Sequence, residues 1–172
     1  RRVEIPLANL PVASYSIVQL TDVHVGPMIG RAFVARVVEQ VNALAPDLIV
    51  ITGDLVDGRL RDLQPHIEPL RDLRAKDGVW SVTGNHEYYW NAEAWLEHLR
   101  TLGVRHLRNQ QVTIAGAFTL AGVDDVTADE DLPHIAVDAE LRQPVIEHAE
   151  DQHRDQRRED TRLALLAHRH AE

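Results

Sequence analysis

The chain has 172 residues, 44% of them hydrophobic, no cysteine, and a formal charge of −9 from 18 basic and 27 acidic side chains. That length suits one domain with a real core, and apolar runs such as Leu48–Ile51 fall far short of the roughly 18–20 residues needed to cross a bilayer. The acidic balance argues against a surface that neutralises nucleic-acid phosphates. Without thiols there is no disulfide, no thiolate zinc site and no cysteine nucleophile, so any metal must be held by His, Asp, Glu or Asn. A start at Arg1 reads as a fragment or processed form, with any anchor or signal lying upstream.

Taken in chain order, residues 12–123 alternate between strand and helix patterns, which predicts an α/β fold with helical crossovers. Ser14–Leu20 is β-rich, and Thr21–Gly30 reads as a loop. Phe33, Val34, Val37, Val38, Val41 and Leu44 then recur at helical spacing until Pro46. Leu48–Ile51 is a strand buried on both faces that ends in Thr52-Gly53-Asp54. A helix over Leu60–Arg74 is expected to be interrupted near Pro65 and Pro69. The strand Val79–Thr83 runs into Gly84-Asn85-His86, and Asn91 caps a helix whose face is Trp95, Leu96, Leu99 and Leu102. Short β segments at 104–107, 112–114 and 118–123 suggest hairpins of a second, more antiparallel layer. Residues 133–162 are polar and atypical, and 163–172 read as a strand leading to His168. One domain over 1–172 is expected.

Three polar clusters each follow a predicted strand: Asp22-x-His24, Gly53-Asp54-x-x-Asp57 and Gly84-Asn85-His86-Glu87. Parallel strands joined by helical crossovers share one carboxyl edge, so the clusters should converge there. On an extended segment Asp22 and His24, two apart, would point to one side and could grip one ion. The carboxylate of Asp54 has two oxygens that can bridge cations, Asn85 offers an amide oxygen, and His86 a ring nitrogen for a ligand or for proton transfer. These donors suit borderline or hard divalent ions such as Mn, Fe, Zn or Co. Each cluster alone has an ordinary reading as a strand exit or a turn with a surface histidine. Their conjunction favours a metal site.

With those motifs in place, the chain resembles the calcineurin-like metallophosphoesterase family over residues 14 to about 123. The run Asp77-Gly78-Val79-Trp80-Ser81-Val82-Thr83-Gly84-Asn85-His86-Glu87-Tyr88-Tyr89 looks like its bacterial membrane-associated subgroup. The resemblance implies a layered α/β/β/α sandwich and two divalent ions. Asp22 and His24 would hold the first ion, Asp54 would bridge, and Asn85 and His168 would hold the second. His86 would be the acid that protonates the leaving oxygen or would stabilise the transition state, with Asp57 and Glu87 orienting ligands or capping turns. It also implies hydrolysis of a phosphomonoester or phosphodiester by metal-activated water, on a phosphorylated small molecule or a lipid-linked or nucleotide-sugar substrate, with a cytoplasmic or cell-envelope location and membrane association through an upstream segment. The family closes its site with a Gly-His-x-His motif, and the chain reaches Glu172 without one, so an incomplete second sheet and a missing ligand on each ion are expected. The alternative is a non-catalytic binding or scaffold domain. Tyr88, Tyr89 and Trp90 read equally as pocket lining or loop packing. Arg31 could meet a substrate phosphate, though its place near a helix start favours a solvated role; His66, His98 and His106 read as surface or helix-face residues, and Phe33, Trp80, Trp95 and Leu99 as core.

Overall fold

The computed structural model of the protein describes residues 1–7, 10–128 and, as backbone, 163–166. Strands β1 (Ile17–Leu20), β2 (Leu48–Thr52), β3 (Val79–Val82) and β4 (Val104–His106) form a parallel sheet in that order. Helix α1 (Arg31–Ala43) joins β1 to β2, α2 (Leu60–Ile67) joins β2 to β3, and α3 (Asn85–Tyr89) with α4 (Ala92–Thr101) joins β3 to β4. Strands added one after another in a single direction, through crossovers of one hand, place every connecting helix on the same face.

The all-apolar strand β2 shows why the sheet is buried on both sides. Ile49 and Ile51 pack into a core with Val34, Val38 and Val41 of α1, Ile67 of α2, and Trp95 and Leu99 of α4. Leu48 and Val50 alternate to the opposite face, against Phe118 and Leu120. Those two belong to a second sheet of β5 (Gln110–Ile114), β6 (Phe118–Gly122) and β7 (Leu163–Leu166), paired antiparallel. Tyr15 meets Phe118 edge to face, with ring centroids 4.9 Å apart. The hairpin β5–β6 turns through Ala115 and Gly116, both at positive φ, with Ala117 N–H donating to the Ile114 carbonyl at 2.9 Å. Helix, parallel sheet and antiparallel sheet give the mixed α/β layering expected from the sequence.

Several local expectations need correction. Phe33 is 40% exposed, because the buried stripe of α1 is Val34, Val38 and Val41 and Phe33 sits a third of a turn away, beside Arg36. The second helix passes through Pro65 without a break and tightens to a 3-10 turn only at Glu68–Asp72, where Pro69 lies. Past β3 the chain enters a helix at once, with Gly84 at the N-cap of α3. His106 is no surface residue: burial depresses its pKa, and its ring bridges Ser81 Oγ at 2.5 Å and the Leu96 carbonyl at 2.8 Å. His168 and the polar segment 133–162 lie outside the described residues.

Candidate metal centre

The three polar clusters meet at the carboxyl edge of the parallel sheet, and backbone lacing holds them there. Beyond the ends of β1 and β2 the two loops stay paired: Asp22 N–H donates to the Gly53 carbonyl at 3.2 Å, His24 N–H to Asp54 at 3.0 Å and Val25 N–H to Leu55 at 2.9 Å. Within that ladder Asp22, His24 and Asp54 have φ of 52°, 48° and 50°. Left-handed backbone at non-glycine residues is costly and persists where its surroundings enforce it. Asp22 and His24 therefore come together through two left-handed kinks, and not through the alternation of an extended strand assumed from the sequence.

Two glycines let the second and third loops touch. Gly53 has φ +96°, and a Cβ there would lie 2.6 Å from Gly84 N; a Cβ on Gly84 would lie 2.0 Å from Asp54 Oδ1. The contact is locked by Glu87, which is 3% exposed. Its Oε2 accepts the N–H groups of Asp54 at 3.0 Å and Gly84 at 2.6 Å, and its Oε1 those of Leu55 at 2.8 Å and Val56 at 3.4 Å. A buried carboxylate is stable only when its lone pairs are met, and here backbone donors meet them. Farther along the same loop the Gly58 carbonyl accepts the Trp95 indole N–H at 3.1 Å, which ties it to α4.

The result is a close group of ligand-type atoms. One atom each from Asp22, His24 and Asp54 lie within 4.8 Å of one another, and the same holds for His24, Asp57 and His86. The His24 and His86 rings meet edge to face at 4.4 Å. His86 N–H donates to Asp54 Oδ1 at 3.0 Å, while its Nδ1 lies 3.3 Å from Asp57 Oδ1. That same Asp57 oxygen accepts the Trp90 indole N–H at 3.1 Å. The indole bond holds the Asp57 carboxyl below its ordinary pKa against the opposing effect of desolvation, and His86 adds to the depression.

Asn85 lies between Asp54 and Tyr89. One end of its amide is 3.1 Å from both Asp54 carboxylate oxygens, and the other is 3.0 Å from the Tyr89 hydroxyl. With nitrogen toward Asp54, the amide donates to the carboxylate. With oxygen there, three oxygens converge and need a cation between them. Two carboxylates, an imidazole and an amide oxygen fit a borderline or hard divalent ion.

A profile of the calcineurin-like phosphoesterase family matches residues 15–171. The chain belongs to the calcineurin-like phosphoesterase family. Among its relatives, the bovine (Bos taurus) "Transmembrane protein with metallophosphoesterase domain" is 40% identical over 139 residues, 74% of this chain and 31% of the relative. The zebrafish (Danio rerio) protein of the same name is 38% identical over 135 residues, 73% of this chain and 31% of its own length. An uncharacterised metallophosphoesterase of Campylobacter jejuni is 35% identical over 144 residues, 80% of this chain and 38% of the relative. The chain thus spans well under half the length of these relatives, which come from vertebrates and bacteria alike. Phosphoesterases of this family work with divalent metals, and the His and Asp groups at the sheet edge are the candidate ligands among the described residues.

Of the residues singled out from sequence, Asp22, His24, Asp54, Asn85 and His86 all stand at this edge. The fifth expected metal ligand, His168, lies outside the described residues. The aromatic triplet divides its roles. Tyr88 is half-buried with its hydroxyl 3.0 Å from Thr83 Oγ1, and burial raises its pKa. Tyr89 is 61% exposed beside His86, their rings 5.4 Å apart. Trp90 packs on the helix-side core while its indole reaches Asp57. Sequence reading missed the Trp90 bond and the left-handed ligand backbone. The Glu87 clamp had a usable signal, since a glutamate three residues after Gly84 has the spacing of half a capping box.

Proposed function

We propose that the chain is the catalytic part of a metal-dependent phosphohydrolase that cleaves a phosphomonoester or phosphodiester with water, using two divalent ions. The observation that carries this reading is the convergence of Asp22, His24 and Asp54 within 4.8 Å on strained, laced backbone beside His86. Asp22 and His24 would hold the first ion, Asp54 both, and Asn85 and His168 the second, with Mn, Fe, Zn or Co as the candidate metals. Bound there, such ions neutralise phosphoryl oxygens and lower the pKa of water.

The remaining work falls to the chain's own side chains. Asn85 turns its amide oxygen toward Asp54 and the ion, keeping its nitrogen on the Tyr89 hydroxyl. Asp57 accepts the Nδ1–H of His86, so that the ring, when it also carries a proton on Nε2, can give that proton to the departing oxygen. Glu87 fixes the two loops so that the ligands need little reorganisation. We place the substrate in the lipid-linked or nucleotide-sugar class; the word "transmembrane" in the names of the bovine and zebrafish relatives supports the membrane setting, reached through a segment elsewhere in the protein, and does not name the substrate.

Metal analysis and hydrolysis of bis(p-nitrophenyl) phosphate and p-nitrophenyl phosphate, with added manganese, test this on the native chain, Asp54→Ala and His86→Ala. Metal-stimulated turnover that disappears in Asp54→Ala is expected, while His86→Ala should lose much less on these p-nitrophenyl esters, whose leaving group needs little protonation, than on an alkyl ester. Turnover that survives Asp54→Ala contradicts the two-ion scheme. A native chain that binds no ion and hydrolyses neither ester favours the non-catalytic scaffold.

A further inference from the structure

We infer that Trp90 is a positioning residue for the acid step: its indole N–H fixes the Asp57 carboxylate against His86 Nδ1 and so sets the orientation and tautomer of the His86 ring. The inference rests on the proposed role of His86. Asp57 is half-exposed, with 47% of its side chain open to solvent, and its Oδ1 has two partners, Trp90 Nε1 at 3.1 Å and His86 Nδ1 at 3.3 Å. An exposed aspartate is free to rotate, and a long 3.3 Å contact to a histidine is a weak restraint on it. The indole is a donor only, has one proton to give, and cannot turn without moving a ring packed on the core.

Trp90 is itself held. It ends α3, its backbone N–H donates to the Glu87 carbonyl at 3.3 Å, and Glu87 is the buried clamp between the metal-ligand loops. The chain Glu87–Trp90–Asp57–His86 therefore transmits the rigidity of a buried anchor to a ring at the open edge. With Asp57 fixed, Nδ1 carries the proton that faces it, and Nε2 is left open to take up a second proton from water and hand it to a leaving group. The indole N–H is committed to Asp57, so Trp90 acts on His86 through that carboxylate.

The test compares the native chain with Trp90→Phe, which keeps an aromatic ring on the core and removes the N–H, and with Asp57→Asn. In metal-free protein, imidazole nitrogen NMR should show His86 protonated mainly at Nδ1 in the native chain and as mixed tautomers in Trp90→Phe. In the native tryptophan, the Trp90 indole proton should shift upfield on Asp57→Asn, a readout that needs no Trp90 variant to fold. In the metal-loaded protein, Trp90→Phe should lower kcat with KM little changed, and more for an alkyl than for a p-nitrophenyl leaving group: about tenfold or more against about threefold or less, since only the poor leaving group needs the proton. Unchanged His86 tautomers in Trp90→Phe, or equal losses on both esters, would overturn the inference. A native chain that hydrolyses neither ester while the NMR changes appear would sink the hydrolase reading and leave the positioning contact standing.

Discussion

At the amino-terminal edge of the parallel sheet Asp47 accepts the backbone N–H and the hydroxyl of Ser16, both at 2.8 Å, and Asp77 accepts the Tyr15 hydroxyl at 2.6 Å. At the carboxyl edge Asp54 takes one backbone amide, from His86, and otherwise faces the Asn85 amide and the ligand atoms of Asp22 and His24. The same residue type serves two ends in opposite ways. Where protein donors meet the carboxylate, its pKa falls and it holds loops together, as Ser16 does for Asp47; burial and the Asp77 carboxylate together raise the Tyr15 pKa. Where ligand-type atoms face one another on left-handed backbone, the arrangement suits a cation.

The sharpest way to break that contrast is to exchange the treatment of the two ends. Asp54→Asn should cut metal-stimulated phosphodiester hydrolysis on the order of a thousandfold or more, because the bridging carboxylate supplies several kcal/mol through the ions. Its metal-free melting temperature should stay at or above that of the native chain, as read by calorimetry. Glu87→Gln comes next. Losing a buried charge that accepts four backbone N–H groups should cost about 3 kcal/mol in denaturant unfolding and weaken ion binding as well, since the ligand loops loosen together. Asp47→Ala should cost about 1 to 2 kcal/mol by the same assay and leave ion affinity unchanged, because its bonds tie the starts of β1 and β2 together at the end of the sheet away from the ligands.

These contrasts also mark what the sequence made legible. The apolar run of β2, the helical spacing of α1 and α4 and the three clusters after strands were readable, because burial on both faces and a shared carboxyl edge follow from residue order. The exposure of Phe33 was not, since a helix face one residue wide of the core has the same apolar spacing as the face that is buried. At the site, residue identities were legible and their conformation was not. Asp and His adopt left-handed backbone more readily than most residues, but nothing local requires it at Asp22, His24 or Asp54, where the ladder between two loops imposes it. The Trp90–Asp57 bond spans 33 residues and depends on where α3 ends.

His106 gives the smallest and most gradual effect. Burial favours its neutral ring, so the folded pKa lies below the ordinary 6.5 and the unfolded chain protonates first as pH falls. Stability should therefore be complete above about pH 6.5 and decline below it, by at most about 1.4 kcal/mol per pH unit until the folded ring also protonates. Unfolding midpoints at pH 7.5 and 5.5 should differ less in His106→Gln than in the native chain.

Equilibrium dialysis against manganese, with metal analysis of the native chain, Asp54→Asn and Asp47→Asn, tests the central claim most directly. Two bound ions in the native chain and in Asp47→Asn, with one or none in Asp54→Asn, is the predicted result. An absence of bound metal in the native chain, or equal binding by Asp54→Asn, would contradict a metal centre at the carboxyl edge of the sheet.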